Sequence, residues 1–135
     1  MQGNSYTIQN DYLSVEVQAK GAELMSLYNK KEQLEYMWSG DPAFWGKHSP
    51  VLFPIIGELK NNTYYYNNKA YRLSRHGFAR DMEFTVVEQT TSSVGFSLFI
   101  YNHPTKSGMV DFWQEAGAFL PKDIFSFDFY ETLFF

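Results

Sequence analysis

Residues 75–81 read Arg75-His76-Gly77-Phe78-Ala79-Arg80-Asp81 and place two guanidinium groups, an imidazole and a carboxylate within seven positions. The planar fork of arginine donates two parallel hydrogen bonds, so Arg75 and Arg80 suit vicinal hydroxyls, carboxylates or phosphates. His76 can bond a hydroxyl or ring oxygen near neutral pH and can take part in proton transfer. The same groups can also serve one another. Arg80 with Asp81, or Arg75 with a nearby carboxylate, can form solvated ion pairs, and His76 can cap a loop carbonyl. Gly77 and Ala79 make the stretch a poor strand and a poor helix, but a good rigid corner between strands.

A second cluster lies upstream. Residues 39–50 hold Gly40, Pro42, Gly46 and Pro50, the composition of a loop, yet Trp38, Phe44, Trp45 and His48 fall in or beside them. Such rings either fold over the edge of a core or form an aromatic rim, since flat apolar rings pack on the C–H faces of sugars and other ring ligands.

Other chemistries are absent from the sequence. It has no cysteine, which removes disulfides, thiolate metal sites, iron–sulfur clusters and thiol catalysis. His48, His76 and His103 are too far apart for a ligand motif such as HExxH, and no Walker loop, GxGxxG or GxSxG elbow occurs. No cofactor is expected. A formal charge of −4 offers no nucleic-acid footprint. No apolar run approaches the roughly 18 residues of a membrane helix, and Met1-Gln2-Gly3-Asn4-Ser5 lacks the basic and apolar regions of a signal peptide. The expectation is a soluble, cytoplasmic protein with no membrane or nucleic-acid partner.

The elements that must position these residues read as β-structure. Leu13, Val15 and Val17 alternate with Ser14, Glu16 and Gln18, the period of a strand with one buried face. Asn10-Asp11 predicts a hairpin joining residues 6–9 to 12–19. Residues 22–28 and 34–38 read as further strands, and 51–53 as a central strand stopped by Pro54. Residues 63–66 and 69–73 form a hairpin around Asn67-Asn68, because asparagine tolerates the positive φ of tight turns. Tyr64-Tyr65-Tyr66 suits a strand with both faces partly covered. Residues 83–89 and 93–98 read as two more strands, split by the turn at 90–92. An antiparallel all-β architecture follows.

Four segments then occur in a recognisable order: Gly21-Ala22-Glu23-Leu24-Met25-Ser26-Leu27, Glu35-Tyr36-Met37-Trp38-Ser39-Gly40-Asp41-Pro42, Pro50-Val51-Leu52-Phe53-Pro54-Ile55-Ile56-Gly57 and His76-Gly77-Phe78-Ala79-Arg80-Asp81. Together they resemble the N-terminal part of the aldose 1-epimerase (galactose mutarotase-like) family, nearest its LacX-type and glucose-6-phosphate 1-epimerase-like branch. The resemblance implies a large antiparallel β-sandwich, here its N-terminal part over residues 1–98, that holds a hexose or hexose phosphate in a cleft. It implies interconversion of α and β anomers by general acid–base catalysis without a cofactor. It also implies substrate contact from Arg80 and His76. Arg75 stands where the sugar-phosphate branch has a glutamine that contacts substrate, and Lys47 and His48 stand near the place of a further substrate arginine of that branch. The family's acidic histidine and basic glutamate lie farther downstream. His103-Pro104 comes too early to be that acid and is not assigned, so the chain is expected to be catalytically incomplete. The alternative is a noncatalytic carbohydrate-binding or sensing module.

Composition changes near Leu98. Eight of the 13 phenylalanines fall in residues 99–135, which carry a net −3 against −1 for the first 98. This aromatic-rich tail reads either as a segment foreign to the fold, the favoured reading, or as a divergent ending that completes a half-sandwich. Phe125, Phe127 and Phe129 could form one more strand and residues 114–120 a helical turn. Strands deprived of partners leave open edges, and self-association is expected.

Overall fold

A computed structural model describes residues 4–98 and 129–131. Its strands are β1 (Ser5–Gln9), β2 (Leu13–Gln18), β3 (Glu23–Asn29), β4 (Leu34–Glu35), β5 (Thr63–Tyr66), β6 (Lys69–Arg72), β7 (Thr85–Gln89), β8 (Val94–Ser97) and β9 (Phe129–Glu131). They form three antiparallel sheets, in the orders β1-β2-β3-β4, β5-β6 and β7-β8-β9. The all-β reading holds, and the only helical pieces among the described residues are 3-10 turns at Lys60–Asn62 and Ala79–Asp81.

Two of the sheets share a core. Ile8, Val15 and Val17 from the first meet Val94 and Phe96 from the third, joined by Phe84, Leu98 and the small Ala19 and Ala79. Tyr6 and Phe96 pack edge to face at 5.7 Å across the two layers. Each such aliphatic or aromatic side chain contributes about 1.5–3 kcal/mol on burial, which makes the alternation of β2 decisive for its orientation. All four residues of β8 are buried, as befits a strand flanked on both sides. The layers are laced by backbone bonds from Gly21 N to the Met82 carbonyl (2.7 Å) and from Phe84 N to that of Ala19 (2.9 Å).

Turn chemistry closes the hairpins where expected. Asn10 Oδ1 accepts from the amides of Tyr12 (2.8 Å) and Leu13 (2.7 Å), an Asx turn between β1 and β2. Asn67 and Asn68 take φ of 46° and 58° between β5 and β6. Other expectations are corrected. Residues 51–53 form no ladder strand among the described residues: flanking Pro50 and Pro54 lack N–H donors, and the stretch makes a single bridge, Phe53 to Gly77. β4 ends at Glu35 and not at Trp38. Tyr65 is 76% exposed, so the tyrosine run has one open face. The tail segments around Phe125, Phe127 and 114–120, and His103, lie outside the described residues, whereas Phe129 falls in β9 beside β8.

Candidate functional site

A bulge prepares the site. Along β2 and β3, Val15 faces Leu27 and Val17 faces Leu24, so one extra residue sits in β3 opposite the Glu16/Val17 step. Leu24 and Leu27 therefore both reach the core. Glu23, paired with Gln18, is turned to the opposite face of the sheet. Were the same residues paired without a bulge, strict alternation from Leu27 would send the Glu23 carboxylate into the apolar core.

Glu23 is still only 2% exposed, because the segment around residue 48 covers it. Its Oε2 accepts from Gln18 Nε2 at 2.7 Å and its Oε1 from the backbone N–H of His48. The His48 imidazole lies beside the same carboxylate, Nδ1 to Oε1 3.9 Å. Gly40, at φ 70°, makes room for that ring: a Cβ there would stand 2.4 Å from His48 Cε1. Leu24 N to the Ser49 carbonyl (3.1 Å) and Val51 N to that of Gly21 (2.9 Å) complete the seam.

Residues 75–81 form the corner foreseen from sequence. His76 and Gly77 both take positive φ, 68° and 74°. A Cβ on Gly77 would lie 2.1 Å from the Phe53 carbonyl oxygen, so only glycine fits. That oxygen accepts from the amides of Phe78 (2.9 Å) and Ala79 (3.2 Å), and His76 N bonds the Gly57 carbonyl at 2.9 Å. The Arg80 backbone presses on Gly21, where a Cβ would come within 2.7 Å of its carbonyl oxygen.

The side chains of the corner are partly occupied. His76 Nδ1 contacts the Ile56 carbonyl oxygen. A carbonyl only accepts, so the neutral ring carries its proton on Nδ1 and offers Nε2 as an acceptor. Arg80 Nε is buried, lies 3.4 Å from Asp81 Oδ2, and has no hydrogen-bond partner among the described residues. Asp81 Oδ1 is 3.9 Å from Lys47 Nζ. Arg75 is exposed. Thus the structure joins Arg80, Asp81 and Lys47, and sets His76 on a loop carbonyl, as the ion-pair and capping alternative anticipated. Among the described residues no group of His, Asp and Glu gathers as a metal set.

Sequence reasoning missed Glu23 and Gln18, which read as ordinary strand residues. The one available signal was a glutamate placed directly after Gly21-Ala22, both of which adopt positive φ. Glu35 was missed as well. Burial alone would raise its carboxyl, but hydrogen bonds from Ser26 Oγ and the amides of Met37, Leu27 and Tyr36 hold it below the usual carboxylate value. It thereby ties β3 to the start of the aromatic loop, with Oε1 2.8 Å from both Leu27 N and Met37 N. In that loop Trp38, Phe44 and Trp45 are 44%, 82% and 55% exposed, so they do not serve as a cover for the core.

Comparison with known proteins agrees with this framework. The chain is 38% identical over 96 residues to both the plasmid and the chromosomal protein LacX of Lactococcus lactis subsp. lactis, covering 67% of this chain and 32% of the relative. It resembles a galactose mutarotase related enzyme from Lactobacillus acidophilus with 42% identity and a TM-score of 0.74, and a galactose mutarotase-like protein from Lactobacillus casei ATCC 334 with 40% identity and 0.73. Each likeness covers 78% of this chain and 35% of the other. The chain thus spans about a third of the length of the relatives it matches. The sheets described above form part of a galactose mutarotase-like β-fold. With the family model described as aldose 1-epimerase matching residues 4–114, the bulged strand, the loop and the rigid corner are those of a chain that belongs to the aldose 1-epimerase family.

Proposed function

We propose that the corner of residues 75–81 is a hexose-gripping element, with Arg80 its principal contact and His76 and Arg75 lining the same approach. The observation that carries this is Arg80 itself. Its backbone is locked between Gly21 and the 3-10 turn, while its buried Nε lacks a hydrogen-bond partner among the described residues. A buried donor without a partner costs about 1–3 kcal/mol, borne here by a guanidinium whose side chain stays 30% exposed and so within reach of a sugar hydroxyl or a phosphate oxygen. The ligand is a hexose or hexose phosphate. Residues 1–98 act as the N-terminal part of a sugar-binding sandwich and 99–135 as a divergent tail, of which Phe129–Glu131 adds a strand beside β8.

In the whole enzyme, the reaction is interconversion of the anomers of an aldose. One group protonates the ring oxygen and another removes the anomeric hydroxyl proton, after which the ring opens and recloses. In its neutral form, with the proton on Nδ1, His76 would accept a hydroxyl proton at Nε2 instead of donating one. No acid–base pair can be assigned in the 135 residues, so this polypeptide is expected to bind without measurable turnover. Polarimetry of freshly dissolved α-glucose and α-galactose, with chemical-shift mapping of the same sugars, tests both halves. Shifts at Arg80 and His76 without acceleration are expected. Acceleration abolished by His103→Ala would overturn the incompleteness, and no shifts at all would overturn the binding site.

The contacts of His76 with Ile56 and of Arg80 with Asp81 favour a second reading, a noncatalytic carbohydrate-binding or sensing module. A longer chain of this protein that binds sugar and leaves the mutarotation rate unchanged would select it.

A further inference from the structure

The aromatic loop holds rings outside the core without being loose. Phe44 is 82% and Trp45 55% exposed, although rings of this size ordinarily dominate a core. The Asp41 carbonyl accepts from the amides of Phe44 (3.1 Å) and Trp45 (2.9 Å), and Asp41 Oδ1 from that of Ala43 at 2.8 Å. Trp38 pins the pair from both ends. Its Nε1–H donates to the Trp45 carbonyl at 2.9 Å, and its ring meets that of Phe44 edge to face at 6.4 Å. Below, the fit of His48 against Gly40 and Glu23 anchors the loop to β3. Rings ordered during folding lose little further entropy when a flat partner arrives.

Position supplies the partner. Trp45 stands two residues before Lys47, whose Nζ reaches Asp81, which in turn contacts Arg80. The loop and the corner are therefore tied side by side, one offering apolar faces and the other charged donors. A pyranose needs both, because its axial C–H bonds make apolar faces while its hydroxyls project around the rim.

We propose that Phe44 and Trp45, held in place by Trp38, form a stacking platform for the C–H face of the pyranose whose hydroxyls meet Arg80. This rests on the hexose-binding reading above and adds the residues that choose which face of the ring is accepted. Trp38 is a positioning residue, and Phe44 and Trp45 are the contacts.

The test uses the 135-residue chain with methyl β-D-galactopyranoside and methyl β-D-glucopyranoside, whose anomeric centres are locked. Saturating the aromatic protons of the unmutated chain should transfer magnetisation to the ring C–H protons of the glycoside. Trp45→Ala should weaken its dissociation constant about fivefold to tenfold, Phe44→Ala somewhat less, and Trp45→Phe should restore most of the loss. Loss of binding in Arg80→Gln with unchanged binding in Trp45→Ala and Phe44→Ala would overturn the platform and leave the hexose site standing. No transfer and no shifts from either glycoside would overturn both. A dimer in sedimentation that Phe44→Ala dissolves, with glycoside affinity unchanged, would overturn the platform in favour of a second copy of the chain.

Discussion

Glu23 and His48 meet twice: the His48 amide donates to Glu23 Oε1, and its imidazole Nδ1 stands 3.9 Å from the same oxygen. A carboxylate on the outer face of β3 is thereby buried by a loop that begins with exposed tryptophan and ends beside Lys47. Replacing Glu23 by alanine would strand the His48 amide and the Gln18 side chain in a buried site. The expected loss is about 2–4 kcal/mol, read from urea denaturation. Glu23→Gln should recover part of it by keeping an acceptor for His48. An alanine variant as stable as the unmutated chain would show that the loop is not anchored there.

Gly77 provides a sharper steric test. Alanine would have to hold φ at 74° and place its Cβ 2.1 Å from the Phe53 carbonyl oxygen. Left-handed backbone alone costs about 1–2 kcal/mol, and the overlap forces the corner to shift, so Gly77→Ala should destabilise by at least about 3 kcal/mol. Among the described residues Gly57 has no atom within 4 Å of its would-be Cβ. Gly57→Ala should stay within about 0.5 kcal/mol, and the difference between the two melts checks the geometry.

Arg80→Gln separates binding from folding. The Arg80–Asp81 pair is solvated on the aspartate side, 57% exposed, and Nε makes no hydrogen bond among the described residues. Thermal unfolding should shift by less than about 1 kcal/mol in stability, while sugar-induced chemical shifts disappear. A large loss of stability with binding intact would assign Arg80 to structure alone.

Acid should loosen the tie between β3 and the aromatic loop. The Glu35 carboxyl titrates below its unfolded value, so its contribution is fully present above the unfolded pKa. It is lost as pH falls through the lower, folded pKa. Proton titration should move the Leu27 and Met37 amide resonances below about pH 4.5, the unperturbed value for this group. Glu35→Gln should flatten that response; identical titrations in both proteins would remove Glu35 from the tie.

Open edges predict association. Among the described residues β7 is an end strand of its sheet, and it carries Val87, 53% exposed. Unpaired edge strands recruit other chains, and a lysine on such a strand opposes this. Val87→Lys should lower the apparent mass in light scattering at a given concentration. An equally associated variant would place the contact elsewhere.

Local rules were enough for most of the secondary structure. The period of two in β2, the Asx turn at Asn10 and the paired asparagines at 67 and 68 each act within a few residues, where steric and hydrogen-bonding preferences need no distant partner. The corner at 75–81 was legible for the same reason, since Gly77 and its polar neighbours are contiguous. Exposure of Phe44 and Trp45 was not, because a loop's aromatic content does not say which way its rings face.

The amino-acid sequence by itself determined most of the strands, their turns and the grouping of Arg75, His76 and Arg80 in one bend, all of them short-range consequences of backbone and side-chain type. Tertiary structure alone decided that Glu23 faces away from the core, that His48 closes over it from 25 residues away, and that Lys47 reaches Asp81. It also denied residues 51–53 a ladder. Those outcomes depend on which groups remain unpaired once the sheets have packed, a property of the assembled layers and not of any single stretch of chain.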